Sequence, residues 1–386
     1  MGYFKRGFGP RRYQHVYGWS VIGFMSDFRR ILVSGGAGFI GSAVVRLLLE
    51  KRGVEVMNVD ALTYAADRAV LEAVDHGPYK DMHRFYHLDI CDAQALQAVF
   101  LQTQPDAVLH LAAQTHVDRS IDDPAQSVHT NVVGTLNMLE AARLYWQRLS
   151  KSGQASFRFL HVSTDEVYGD IPADVFSVDE LARYAPRSPY AASKAGADHL
   201  VRAWHSTYGL PVLLTHCCNN FGPYQYPEKL IPHMLLNALA GQPLPVYGDG
   251  LQERQWVYVD DHADALWLVL NKGRVGETYH IGTQEGVPNI DLVRMLCDML
   301  EARVPARQSG VESYAGLIRH VQDRPGHDRR YALATGKIYE ELGWRAQYRF
   351  KDALEQTVAW YVEHRSWWQH ILECGYGLSR QGCSGG

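Results

Sequence analysis

Short apolar runs alternate with stretches of helical periodicity through the first half of the chain. The runs fall at residues 31–33, 54–59, 84–88, 107–111, 158–162 and 212–215. Continuous apolar strands separated by amphipathic helices predict an α/β fold, a doubly wound parallel sheet covered by helices on both faces. Ligands of such a sheet bind beyond the carboxyl ends of its strands. Gly35, Asp60, Asp89, Ala112, Ala113 and Thr164 all fall at those ends. After Asn219 the pattern changes to a turn-rich segment, a helix over 229–240, a strand entry over 242–246, and short helices between Pro and Gly turns over 286–365. These patterns predict a nucleotide-binding domain over 25–210, with 247–285 returning to it. A smaller C-terminal substrate lobe is predicted from 211–246 and 286–370. Residues 371–386, rich in Gly and Ser towards the end, are expected to form a flexible tail.

The first strand runs into Gly35-Gly36-Ala37-Gly38-Phe39-Ile40-Gly41, which opens a helix expected over 42–51. Gly35, Gly38 and Gly41 permit a sharp turn, close approach of backbone N–H groups to a pyrophosphate, and tight packing of helix on strand. The helix N-terminus adds partial positive charge at the phosphates. The second strand ends in Asp60, 19 residues past Gly41, where an acid binds adenosine ribose hydroxyls. Its charge repels a 2′-phosphate, and no Arg follows immediately, so the expected cofactor is NAD.

Ser163-Thr164-Asp165-Glu166-Val167-Tyr168-Gly169 follows the fifth apolar run, and Tyr190-Ala191-Ala192-Ser193-Lys194 comes 22 residues after Tyr168. Tyr190 and Lys194 share a helix face, so the ammonium is expected to lower the phenol pKa and make it a usable base. Asp165 and Glu166 are a second acid/base pair, and Thr164 offers a hydroxyl to a reacting sugar oxygen. Oxidising an alcohol needs only the first pair. The second predicts chemistry beyond hydride transfer.

Composition narrows the class further. With 46% hydrophobic and 21% charged residues, the chain reads as an ordinary globular protein. No apolar run approaches the ~20 residues of a membrane span, and a net charge of −4 speaks against a nucleic-acid surface. The six cysteines (91, 217, 218, 297, 374 and 383) show no metal-ligand spacing and read as reduced cytoplasmic thiols. His110, His116 and His161 lie near strand ends without cysteine or carboxylate partners at ligand spacing, so hydrogen-bonding roles are expected and no metal. Residues 1–24 carry Lys5, Arg6, Arg11 and Arg12 but no apolar h-region, unlike a secretory signal, and are expected to be a disordered extension. In Arg324-Pro325-Gly326-His327-Asp328-Arg329-Arg330 the Pro and Gly set the loop shape, and guanidinium forks match phosphate oxygens. With Arg254, this cluster is expected to clamp a second pyrophosphate, that of a nucleotide sugar.

The assembled residues resemble the extended short-chain dehydrogenase/reductase family, and within it the members that dehydrate dTDP-glucose. The resemblance runs from about residue 30 to about residue 369. Its most specific pieces are Ser-Thr-Asp-Glu-Val-Tyr-Gly (163–169), Ser-Pro-Tyr-x-Ala-Ser-Lys-Ala (188–195), the Asn-Asn-Phe-Gly-Pro-Tyr-Gln-Tyr-Pro-Glu-Lys segment that opens at Asn219, and Arg-Pro-Gly-His-Asp-Arg-Arg-Tyr (324–331). Epimerases of the superfamily share the Gly-rich turn and the Tyr/Lys pair but lack the Asp-Glu pair.

The resemblance implies that Tyr190, assisted by Lys194, takes the 4-hydroxyl proton as C4 yields a hydride to NAD. Glu166 then removes the C5 proton, Asp165 protonates the departing 6-hydroxyl, and the hydride returns to C6. It implies NAD contacts at Phe39, Ile40, Asp60, Thr63, Asp89, Ile90, Leu111, Ala112, Ala113, Thr130, Tyr190, Lys194 and Asn220. Implied contacts to the nucleotide-sugar substrate are Thr115, Thr164, Asn219, Lys229, Leu230, Pro245, Tyr247, Arg254, Asn289, Arg324 and His327. It also implies a homodimer paired through helices over 125–146 and 189–208. The sequence departs from the family pattern at Ala61 and Ala66, at Gln114-Thr115 and at Gln255. These positions leave the nucleobase open between dTDP, UDP and CDP, and a related 4-epimerase is the alternative within the same scaffold.

Overall fold

The computed structural model describes residues 28–373, so the extension expected over 1–24 lies outside the described residues, as does the tail from 374 onward. Among the described residues there are twelve strands: β1 Arg30–Ser34, β2 Glu55–Asp60, β3 His83–His87, β4 Ala107–His110, β5 Arg158–Thr164, β6 Val212–Cys217, β7 Asn219–Phe221, β8 Leu244–Tyr247, β9 Glu253–Tyr258, β10 Thr278–Ile281, β11 Gly286–Pro288 and β12 Ile318–Val321. The helices that matter here are α1 Phe39–Arg46, α2 Ala93–Thr103, α3 Val117–Asp122, α4 Thr135–Trp146, α5 Pro189–Tyr208, α6 Leu230–Leu239, α7 Val259–Lys272, α8 Asn289–Arg303, α9 Phe350–Glu363 and α10 Arg365–Glu373.

Seven strands form one sheet in the order β10-β6-β5-β4-β1-β2-β3, and every pairing in it is parallel. Helix α1 with the π-helical stretch that follows it, and α7, cover one face through Val44, Leu48, Ala263 and Leu266. Helices α2, α4 and α5 cover the other through Leu96, Phe100, Leu139 and Val201. Both faces of the inner strands are therefore dry, which is why those strands read as largely apolar runs, whereas the edge strand β3 is partly exposed. The order reverses between β1 and β4, and the ligand crevice opens there.

A second core holds the smaller lobe together, with Ile231 and Leu235 of α6, Leu292 and Leu296 of α8, and Leu354 and Val358 of α9 packed around Trp256. The lobe carries a three-stranded sheet β11-β9-β7 and the pair β12-β8.

Local signals set the two elements that matter most. Helix α5 starts where Ser188 Oγ accepts the Ala191 N–H at 3.1 Å, with Pro189 at its first position, and it stops at Gly209, φ +74°. Strand β5 ends in Thr164, whose Oγ1 accepts the Glu166 N–H at 3.3 Å and turns the chain into a short 3₁₀ segment, Asp165–Tyr168.

Four expectations need correction. The helix after the glycine turn starts at Phe39 and not at 42, because Gly38 already accepts the Ser42 N–H, and it widens into a π-helical stretch, Leu47–Arg52. Strand β6 pairs inside the main sheet, so the smaller lobe cannot begin at 211. Strand β10 adds a seventh strand that the apolar pattern did not single out. Helix α10 runs to Glu373 with Ile371 buried, so 371–373 are not tail. Among the described residues no helix is long and apolar enough to cross a membrane.

Candidate active site

The crevice begins at the glycine turn. Gly35 has φ +77°, and a Cβ there would lie 2.7 Å from the Ala112 nitrogen. A Cβ on Gly41 would run into the Gly35 carbonyl oxygen. The turn can thus close this tightly against the end of β4 only with glycine at both positions. Asp60 accepts the Ala37 N–H at 2.9 Å and the Leu62 N–H at 2.8 Å, which fixes its carboxylate beside the turn. Burial pushes its pKa up.

Leu111, Ala112 and Ala113 follow β4 across the crevice. Thr130 lies on a π-helical turn, His129–Gly134, and Ile90 packs beneath Gly134. Thr63 and Asp89 are exposed on loops after β2 and β3. Asn220 is held by His262 Nδ1 on its Oδ1 at 2.7 Å and donates to the Cys218 carbonyl at 3.0 Å. A cradle that a Cβ would fill, facing a fixed carboxylate, fits a dinucleotide.

Tyr190 and Lys194 lie one turn apart at the start of α5, 7% and 4% exposed. Lys194 Nζ donates to the Val162 carbonyl at 2.8 Å and stands 3.3 Å from His161 Nε2. The expectation that Lys194 lowers the phenol pKa is not met. Burial drives Tyr190 well above the usual tyrosine range, and the charges of Glu166 and Asp165 add to it, while a hydrogen bond with Thr164 pulls the other way. Burial also takes Lys194 down to about 8.

The carboxylate pair faces this base. Asp165 is 3% exposed; its Oδ1 accepts from Thr164 Oγ1 at 3.2 Å, and its Oδ2 has no partner among the described residues. Burial first, then the charge of Glu166, raise its pKa to about 8. The carboxyl therefore carries a proton at neutral pH with an open oxygen to donate it from. Glu166 is raised by burial but restrained by Arg324, Lys229 and Arg254. The two carboxylates differ in environment, which suits one as acid and one as base.

The positive charges come from the smaller lobe. Arg254 donates to the Asp328 carbonyl at 2.8 Å and lies 4.1 Å over the Tyr331 ring. Arg324 pairs with Asp118 of α3 at 3.1 Å, and its Nε has no partner among the described residues. Tyr247 donates to the same Asp118 at 2.8 Å. Lys229 Nζ donates to the Thr115 carbonyl at 2.9 Å, and Leu230 starts α6 just after it. Asn289 has a buried, unpartnered Oδ1. His327 contacts Asp323 at 2.7 Å, and burial, then Arg324, lower it to about 4. Asn219 in β7 and Pro245 in β8 are half-buried.

The basic cluster does not act as one unit. Arg329 pairs with Asp249 at the surface, and Arg330 holds the carbonyls of Val175 and Phe176. Sequence reasoning missed Asp118, Tyr331, Asp198 and Glu228. Glu228 accepts from Tyr64 at 3.0 Å and Arg119 at 3.3 Å, which ties the loop after β2 to the substrate lobe. None of these four sits in a motif with a mechanism of its own. The departure at Gln255 has a local reason: its amide both accepts from and donates to Leu333, at 2.8 and 3.4 Å, which a carboxylate cannot do.

A doubly wound sheet with a glycine turn at its switch point, and a tyrosine and lysine one turn apart beside it, define an extended short-chain dehydrogenase/reductase. Comparison with known proteins narrows this. The GDP-mannose 4,6 dehydratase family profile matches residues 32–357. The chain is 53% identical to the dTDP-glucose 4,6-dehydratase of Neisseria meningitidis serogroup B over 354 residues, 92% of this chain and 99% of that one. It is 51% identical to dTDP-glucose 4,6-dehydratase 1 of Escherichia coli K12, covering 90% and 96%. The solved dTDP-glucose 4,6-dehydratase of Streptomyces venezuelae, with NAD and dTDP bound, superposes with a TM-score of 0.79 at 47% identity, covering 89% of this chain and 99% of that one. The chain belongs to the GDP-mannose 4,6 dehydratase family and, within it, to the dTDP-glucose 4,6-dehydratases.

Proposed function

We propose that this protein is an NAD-dependent hydro-lyase that converts dTDP-glucose to dTDP-4-keto-6-deoxyglucose and water. One observation carries the reading: two acid/base pairs, Tyr190–Lys194 and Asp165–Glu166, face each other in one crevice, and their charges act on one another. An epimerase has work for the first pair alone.

NAD, when bound, supplies the hydride acceptor at C4 and the donor at C6, so it is unchanged over the cycle. The glycine turn and Asp60 would hold it, together with Asn220 and the residues after β4. Tyr190 takes the proton of the sugar 4-hydroxyl. Its raised pKa means that the phenolate needs added positive charge, which Lys194 beside it and the oxidised cofactor would provide. The 4-keto group acidifies C5; Glu166 removes that proton, and Asp165 delivers its own to the departing 6-hydroxyl, releasing water. Arg254 and Arg324 receive the substrate pyrophosphate. The open Nε of Arg324 and the open Oδ1 of Asn289 are the unpaired groups a nucleotide sugar would satisfy.

A homodimer is supported by the split of apolar positions on the helices expected to pair. Leu139 and Val201 are buried on the sheet, whereas Val128 and Tyr208 stay 47% and 43% exposed, and Leu136, Leu200 and Trp204 are half-buried on the same layer. A second copy would cover this stripe. A cytoplasmic location fits four free thiols among the described residues.

The test is incubation with dTDP-, UDP- and CDP-glucose in parallel, reading the alkali-induced absorbance of the 4-keto-6-deoxy product. Product from dTDP-glucose at a kcat/KM at least tenfold above the other two is expected. No product from any of them refutes the reading.

A further inference from the structure

Beneath the two acid/base pairs lies a buried charged cluster that the mechanism above does not use. Asp198 sits one helical turn after Lys194 on α5 and is fully buried. Its Oδ2 accepts from Ser163 Oγ and Tyr184 OH, each at 3.0 Å, and lies 3.0 Å from His216 Nε2. Its Oδ1 has no hydrogen-bond partner and stands 3.3 Å from His161 Nε2. That same Nε2 is 3.3 Å from Lys194 Nζ. In one tautomer Nε2 accepts from the Lys194 ammonium, which leaves the Nδ1 proton buried without a partner among the described residues; in the other Nε2 carries the proton and points it at Asp198. Oδ1 of Asp198 is the atom beside that ring nitrogen. It faces the ammonium across a neutral imidazole.

A fully buried carboxylate persists only with hydrogen bonds and a nearby cation. Asp198 has the first from Ser163, Tyr184 and His216, and Lys194 is the buried cation one turn away. The carboxylate also reaches both halves of the chemistry, since Ser163 immediately precedes Thr164, Asp165 and Glu166 in β5. We propose that Asp198 is the buried counter-ion of Lys194 and the positioning residue for both acid/base pairs, holding Lys194 across His161 and the strand end of the elimination pair through Ser163. This rests on the reading of Tyr190 and Lys194 as the oxidation pair.

The electrostatics agree with the geometry. Burial lowers Lys194, and Asp198 is the first influence that opposes it, with Cys217 of β6 the second. His110 of β4, His161 of β5 and His216 of β6 also face Lys194, and burial depresses all three, so they add no standing positive charge. Arg202, further along α5, is turned away over the Tyr184 ring at 5.1 Å. Burial works to raise Asp198, but the imidazoles of His161 and His216 overcome it and hold it well below the usual carboxylate range. Removing the Asp198 charge takes away the larger of the two influences that oppose burial, so Lys194 loses its proton at a lower pH.

The experiment isolates oxidation from elimination. In an Asp165→Asn background the elimination acid is gone and does not titrate, so NAD-loaded protein mixed with dTDP-glucose stops at bound NADH. The rate of NADH formation is measured against pH in that background and with Asp198→Asn added. The expected result is an alkaline limb displaced to lower pH by about one unit or more, with NAD content and substrate KM within about twofold. Asp198→Glu, which keeps the charge, should retain most of the limb position, and Ser163→Ala should lower the rate without moving the limb. An unmoved limb in folded, NAD-loaded Asp198→Asn overturns the proposal, as does an equal loss of rate at every pH with a lowered Tm. Should Asp198→Asn not fold, Asp198→Ser takes its place: the same displaced limb is expected, and a limb that coincides with that of the Asp165→Asn background overturns the proposal. Failure of the Asp165→Asn background to form NADH at any pH would instead sink the functional reading, so the two failures are told apart.

Discussion

Asp165→Asn changes one proton and almost none of the side chain's shape. With a carboxyl pKa raised to about 8 by burial and by Glu166, Asp165 is roughly nine-tenths protonated at pH 7 and about one-tenth at pH 9. The proton belongs in part to the pair, since the two carboxylates are coupled. A general acid contributes ~10²–10⁴ in rate, so product formation should fall by that factor at pH 7 while bound NADH still appears. The unmodified protein should itself lose elimination about tenfold between pH 7 and pH 9, a limb that is absent in the variant.

The same shift has a sign for stability. Between the unfolded pKa, near 4, and the folded value, about 8, the folded state holds the proton and the unfolded state does not. Stability of the unmodified protein therefore falls with pH across that window, by roughly 1.4 kcal/mol per unit from this group. Asn does not titrate, so the variant should gain on the unmodified protein from pH 5 to pH 8, measured by urea unfolding at each pH. Product formation within tenfold of the unmodified rate, or stability curves that run parallel in pH, would refute the reasoning.

Tyr190→Phe should lower turnover by ~10² or more with NAD content unchanged; retention of a tenth of the activity would mean another group is the base. Arg324→Ala and Arg254→Ala should each raise KM for the nucleotide sugar roughly tenfold, the loss of a charge-assisted contact of ~1.5–3 kcal/mol, and an unchanged KM in both would place the pyrophosphate elsewhere. Gly35→Ala combines a φ of +77° with a Cβ 2.7 Å from the Ala112 nitrogen, so NAD affinity measured by calorimetry should drop at least about tenfold. Val128→Glu places a charge on the half-exposed stripe and should give a monomer mass by light scattering, provided that this face pairs two copies.

Much of the fold was legible because both faces of the main sheet are covered. Covered strands are largely apolar, so the inner strands β1, β2, β4, β5 and β6 stand out by their Ile, Leu and Val, while the edge strand β3, His-Arg-Phe-Tyr-His, shows only a short aromatic core; the parallel order follows from the helices between them. The glycine turn and Asp60 were legible for a related reason, as backbone geometry there tolerates few residues. Strand β10 was missed because Thr-Tyr-His-Ile carries no apolar run; it is a strand only because β6 offers an edge. The chemistry divides in the same way. Tyr190, Lys194, Asp165 and Glu166 sit in local motifs whose spacing alone puts them on one helix face or one strand end. Which way their protons lean was not in the spacing. That Tyr190 is raised and not lowered, that Asp165 keeps its proton, and that Arg324 faces Glu166 while Arg329 faces solvent all depend on burial and on charges from distant segments. Desolvation and Coulomb terms are sums over neighbours in space: Asp118 and Tyr331 become neighbours of the site only once the two lobes have folded together, and Asp198 meets His161 and His216 only once α5 packs on the sheet.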